Sequence, residues 1–235
     1  MRLMKKKEII NTLNSDNNND VKDAVKFILN NDISMMDVII NAITPGFFGK
    51  EVVLSILIES TRKNEWLFPL ILKLLYNEPI YLNSLLGYAF FEVIQRALAS
   101  VYYNDETCNS LLVNFICDKK IPQAVRSIGL DCLSLVHVND MIDDVTFKRI
   151  MNTIYQNMDD EIVTDFAIIS CDNGLKFDLE DYYKKGIINQ DIYPYMMYQQ
   201  ELKVPYFEKK KEMLKKKFFN PTIDIFDYID NYLKK

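Results

Sequence analysis

The chain has 235 residues, 49% of them apolar and 26% charged, with a formal net charge of −5. That balance excludes a disordered or membrane-embedded chain, and the negative charge argues against non-specific binding to nucleic acid, which needs a basic face. Six glycines and seven prolines are few for the turns and phosphate loops of all-β and doubly wound folds, so the composition leans toward helices.

Near the start, Arg2 and Lys5-Lys6-Lys7 are not followed by an apolar run of signal-peptide length. Asp20 then precedes Val21, Ala24, Val25, Ile28 and Leu29, a stripe at the helical period that Asn30-Asn31 ends. A second stripe covers Ile33–Ile43, and Thr44-Pro45-Gly46-Phe47-Phe48-Gly49 is expected to be a loop. Helices are expected over Lys50–Thr61 and Glu65–Tyr76, and the short Arg62-Lys63-Asn64 connection makes them antiparallel neighbours. Pro69 falls in the first turn of the second, where its missing N–H costs little. No stretch approaches about 18 apolar residues, and the most apolar, Trp66–Leu75, is interrupted by Pro69 and Lys73.

After a break at Asn77-Glu78-Pro79, Leu82–Val101 reads as a helix with a kink near Gly87. Asn104 or Asp105 caps the next segment, Pro122 opens Pro122–Val136, and Asp143 or Asp144 opens a helix through Tyr155. Asp159-Asp160-Glu161 places three carboxylates on the first turn of a helix running to Ser170, where the macrodipole favours them. Asn173-Gly174 sits between helical segments and reads as a C-cap rather than a hairpin turn. Further on, Ile192–Tyr206 is rich in Tyr and Met, Phe207–Phe219 reads as a basic helix, and Thr222–Leu233 as a last amphipathic one. Between residues 203 and 219 seven lysines face only Glu208 and Glu212.

Helix pairs thus recur every 35 to 45 residues or so, the spacing of helical repeats. The expected fold is all-α: a short right-handed α-solenoid of antiparallel helix pairs, a HEAT-like or ARM-like superhelix. It is expected to form one domain over 1–235, with N-terminal helices to 43, a core over 44–188 and Tyr/Lys-rich helices over 189–235.

Residues 122–136 read PQAVRSIGLDCLSLV. This resembles the second helix of a HEAT repeat, with Val125-Arg126 followed by Gly129 and Cys132 where the repeat usually has Ala, then Leu133. Residues 85–135 resemble a bacterial family of unknown function with a HEAT-like helical domain, and the likeness extends over about Ile43–Ile188. Where that family has an acidic residue after its first Gly, this chain has Tyr88. The resemblance implies that Arg126 bridges to the adjacent repeat and that the small residues allow close helix approach. Many members of the family carry a C-terminal zinc-binding SEC-C motif of Cys and His; this chain has neither residue after Cys171, so zinc is not implied. The family has no established activity.

No catalytic motif, metal-ligand set or cofactor site stands out, and the expectation is of a protein that is not an enzyme. His137, the single histidine, lies five residues after Cys132, a spacing that sets the two well apart around a helix; a helix C-terminal role fits it better. The cysteines 108, 117, 132 and 171 lack CxxC spacing and sit in apolar helical patterns, as free thiols do. Between Asp140 and Asp181 eleven carboxylates face three cations; most fall at helix starts, where capping explains them.

The expected function is a protein-interaction scaffold or adaptor working through a concave helical surface. The candidate partner-binding residues are Tyr193, Tyr195, Met197 and Tyr198, which adapt to a ligand at low entropic cost, with Lys209, Lys210, Lys211, Lys215, Lys216 and Lys217. Against this stand an end cap sealing the last helix pair, and lysines that are solvated or answer the chain's own acidic stretch. The alternatives are an anionic-surface or nucleic-acid binder using Lys209–Lys217 and, last, an enzyme with a carboxylate-based site. A protein partner, no transmembrane segment, and a cytoplasmic location or export without a cleaved signal complete the expectations.

Overall fold

The structure, a computed structural model, describes residues 6–43, 49–77 and 90–232. The expected loop at Thr44–Phe48, the break at Glu78-Pro79 and the Leu82–Gly87 portion of the expected long helix lie outside the described residues. Among those described there are fourteen α-helices, one short 3-10 turn and no strand. The chain divides into two compact units, residues 1–101 with 222–235, and residues 102–221. These limits do not coincide with the expected boundaries at 43/44 and 188/189, and the 189–235 section is shared between the units.

The first unit contains α1 (Lys6–Leu13), α2 (Asn18–Asn30), α3 (Met36–Ile43), α4 (Lys50–Thr61), α5 (Leu67–Asn77), α6 (Phe90–Ser100) and, from the far end of the chain, α14 (Ile225–Tyr232). Helix α4 is its centre. Every residue from Val52 to Ser60 is buried, as a helix apolar on all sides must be, and α1, α3, α5, α6 and α14 surround it. Glu59 lies fully buried among them, a costly place for a carboxylate unless it is paired. It accepts the Met35 amide at 2.7 Å, just ahead of α3, and Arg62 Nη1 at 2.9 Å. Arg62 in turn donates to the carbonyls of Ile33 at 2.8 Å and Ile28 at 3.1 Å. One ion pair thereby satisfies backbone groups around the end of α2 and the start of α3. Helix α14 rests on α2 and α4, with the Asn18 amide donating to the Ile229 carbonyl at 3.1 Å and Lys22 paired with Asp230.

The second unit begins with α7 (Glu106–Cys117) and α8 (Gln123–Val138), followed by α9 (Asp144–Asn157) and α10 (Val163–Asp172). Helix α7 packs on α8 and on α9, and α8 packs on α9 and α10, so α7 and α9 form one layer and α8 and α10 the other. Gly129 sets the α7–α8 spacing, since a Cβ there would lie 2.6 Å from Ile116 Cγ1. The caps are local. Asp105 accepts the Cys108 amide at 2.6 Å and Asp143 the Thr146 amide at 2.7 Å. The bond from Thr146 holds the Asp143 carboxyl below its ordinary range. At the end of α10, Gly174 adopts φ +75°, and the Gly174 and Leu175 amides return to Cys171 and Ser170, as a glycine C-cap requires.

Arg126 is fully buried. It donates to Asp159 at 2.9 and 3.3 Å and to Glu161 at 2.7 Å, tying α8 to the turn ahead of α10. Two of the three carboxylates expected on a helix's first turn are therefore committed to this guanidinium, and α10 starts later, at Val163. Burial disfavours the charged form of Asp159, but the Arg126 hydrogen bonds and charge outweigh it and hold the carboxyl below its usual range.

Candidate functional site

The second unit continues through α11 (Glu180–Lys184), α12 (Tyr195–Glu201), α13 (Tyr206–Met213) and a 3-10 turn at Lys217–Phe219. Helices α12 and α13 both pack on α10. Pro194 and Pro205 stand immediately before them with φ −61° and −59°, a conformation that proline prefers and that leads into a helix.

The tyrosines fall mostly inside. Tyr183, Tyr193 and Tyr198 are buried with Val163, Ala167, Cys171, Leu179 and Ile188, and Tyr195 is partly buried against them. The Tyr193 hydroxyl donates to Glu201 at 2.5 Å and the Tyr198 hydroxyl to the Phe177 carbonyl at 2.8 Å, partners that buried hydroxyls need. Burial pushes the Tyr198 hydroxyl up to about 12 and raises that of Tyr193 as well, with help from Cys171 and Glu201. Tyr193 and Tyr198 are thus closed to a partner. Of the four candidates in this segment, Met197 is the exposed one, at 45%. Tyr183, Tyr193 and Tyr198 pack along α10, in one cluster with Val163, Ala167 and Cys171.

The basic helix is shorter than expected. Helix α13 stops at Met213, its single buried residue, and the chain turns before Lys217–Phe219. With so little apolar face to dock, and with Lys211 and Lys215 one turn apart, tertiary packing does not extend it. Its lysines separate into two groups. Lys209 donates to the Cys171 carbonyl at 2.8 Å, at the C-terminal end of α10; Lys210 pairs with Asp140; and Lys215 pairs with Glu212. Lys215 is nonetheless exposed, as are Lys211, Lys216 and Lys217.

A groove of about 640 Å³ opens beside α13. Val204, Phe207, Met213 and Phe219 supply its apolar lining, and Lys211 and Lys216 are among its cations. On its α10 side Asp172 is raised above its ordinary range by burial and then by the charge of Glu201. Around the groove and along α12 the surface is unusually apolar. Of the twelve large hydrophobic residues that the described chain leaves exposed, six lie between 192 and 214: Ile192, Met196, Met197, Val204, Phe207 and Leu214. The sequence expectation rested on Tyr and Met, of which Met197 is exposed; the other exposed apolar residues here are Ile192, Met196, Val204, Phe207 and Leu214. The available signal was that Ile192, Val204 and Phe207 fit no buried helical face of their own.

Among the described residues no group of three or more His, Cys, Asp or Glu side chains is placed to hold a metal ion, and no helix is long and apolar enough to cross a membrane. All four cysteines are free thiols, three of them buried. Burial holds the Cys132 thiol well above its ordinary range, which leaves it unactivated as a nucleophile. His137 is buried and engaged in a network of its own. Comparison with family models, with curated proteins and with solved structures found no match. Among the described residues the protein is all-helical, and half of its exposed large hydrophobic residues fall between 192 and 214.

Proposed function

We propose that this chain is a non-enzymatic scaffold that binds a protein partner through residues 192–219, carried on a short HEAT-like stack formed by α7–α10. The observation that carries the reading is the concentration of exposed apolar side chains between Ile192 and Leu214. Exposed apolar side chains concentrated in this way are seldom left to water without a binding role, and Met and Phe adapt readily to a partner. The stack is supported by the two-layer order of α7–α10, by Gly129 at the closest helix approach, and by the bridge from Arg126 to Asp159 and Glu161. Free thiols throughout favour a reducing compartment, so the cytoplasm is the proposed location.

The test is photo-crosslinking in the cell from positions 196 and 207, with 145 as control, because Val145 is 79% exposed but lies on α9. Discrete adducts from 196 and 207 that are missing from 145 support the reading. Indistinguishable patterns from all three positions end it. Binding to an anionic surface through Lys209–Lys217 ranks second, because Lys209, Lys210 and Lys215 are already engaged within the chain.

A further inference from the structure

The groove beside α13 has a volume of about 640 Å³, inside the range of about 300 to 1,000 Å³ typical of ligand sites. Its apolar lining is set at two depths. Val204 and Phe207 are exposed, whereas Met213 is 6% exposed and Phe219 half-buried. Residues sunk in this way are reached by a side chain that enters the groove, not by a flat surface laid across it.

The charges around it are unevenly committed. Of the four carboxylates in the lining, Glu201 accepts the Tyr193 hydroxyl at 2.5 Å, Glu212 pairs with Lys215, and burial disfavours the charged form of Asp172. Glu208 is the remaining one. Lys209 is engaged at the Cys171 carbonyl. Lys211 and Lys216, by contrast, are exposed and form no ion pair among the described residues. Lys203 and Lys217, next in sequence to Val204 and Lys216, are exposed too. The rim therefore carries an excess of positive charge above an apolar lining.

These two features select the occupant. Carboxylates are attracted to the rim, and apolar side chains beside them bury against Phe207 and Phe219. A bilayer would meet the lysines but would not reach the sunken Met213 and Phe219. A second copy of this chain, docked through the same face, would set lysines against lysines.

We infer that the groove holds a short acidic–apolar segment of the partner protein, its apolar side chains inserted along Val204, Phe207 and Phe219 and its carboxylates placed at Lys211 and Lys216. The inference rests on the protein-partner reading above and names the chemistry of that partner.

Two synthetic peptides of about twelve residues test it on the full-length protein. Both carry Leu and Phe at helical spacing; one has Glu at the remaining positions and the other Lys. By fluorescence anisotropy at low salt the Glu peptide is expected to bind at least about tenfold more tightly than the Lys peptide. Added salt is expected to shrink that margin. In the double variant Lys211→Glu, Lys216→Glu, changed at exposed positions, the preference is expected to reverse. A Glu peptide that fails to bind, or a preference that the reversal leaves intact, overturns the inference. So does binding to vesicles of phosphatidylserine and phosphatidylcholine in place of the peptide, or a concentration-dependent dimer that Phe207→Ser dissolves. The two readings fail separately. Adducts from positions 196 and 207 that persist in the charge-reversed variant keep a protein partner and remove its acidic character. Indistinguishable adducts from 196, 207 and 145 in the parent end the protein-partner reading itself.

Discussion

The α7–α10 stack and the segment from Ile192 to Phe219 belong to one compact unit yet are built on different terms. In the stack each helix carries a run of buried apolar residues, α7 and α9 are capped by the Asp105 and Asp143 side chains, and the fully buried Arg126 meets two carboxylates. In the segment, α12 and α13 each bury a single residue, Tyr198 and Met213, and half of the described chain's exposed large hydrophobics gather there. Continuous burial specifies a structure; short helices that leave apolar side chains in water leave energy available for binding. The contrast sets a tightly specified stack against the segment proposed for recognition, and four substitutions can break or sharpen it.

Arg126→Ala is expected to have the largest effect. It strands the Asp159 carboxylate and opens a cavity, and its cost, read by urea denaturation, is expected to be about 3 kcal/mol. A loss under about 1 kcal/mol would mean that the bridge does not organise the stack. Next comes Gly129→Val, whose side chain collides with Ile116 on α7. Overpacking of this kind costs about 2 kcal/mol, and the same denaturation experiment measures it.

The third effect depends on pH. Burial, and then the charge of Asp165, push the Asp131 carboxyl up to about 7. Folding raises it above the unfolded value of about 3.9, so the protonated form favours the folded state. Its contribution is complete below about pH 4 and is lost as pH rises through 7. Asp131→Asn removes that decline. Melting temperatures of variant and parent are expected to agree near pH 4, and at pH 8 the variant is expected to melt higher, by roughly 5 °C or more. A parent that keeps the same lead or deficit at both pH values contradicts the assignment.

Phe207→Ser is expected to change stability least, by about 0.5 kcal/mol or less, because Phe207 is 68% exposed. Its expected consequence is instead the loss of the partner adduct captured from position 196. A large drop in melting temperature with the adduct retained would move Phe207 to the stability side of the comparison.

Much of the helical order was legible because its signals are local. Asp105, Asp143 and the Asn173-Gly174 pair act on residues within about four positions, and each stands in the sequence beside the amides or carbonyls it serves. The continuous burial from Val52 to Ser60 in α4 fits a run with apolar residues on every side. Arg126 was legible as a bridge through its resemblance to a repeat signature, though the carboxylates it meets read as dipole partners of a helix start. The site was only partly legible. A segment rich in Tyr and Met was visible, but which rings turn inward depends on whether α10 offers a place for them.

Composition and periodicity by themselves therefore determined an all-α chain, the approximate course of most of its described helices, and a C-terminal section of distinct character. Only the tertiary structure decided that Tyr193 and Tyr198 belong to the core, that Glu59 and Arg62 jointly serve the ends of α2 and α3, and that four helices converge on His137. It alone brought α14 onto α2, through a bond between residues 211 positions apart. The physical reason is one of range. Caps and helical stripes are written within a turn or two of the chain, whereas the pairing of distant faces is settled by the joint burial of all of them.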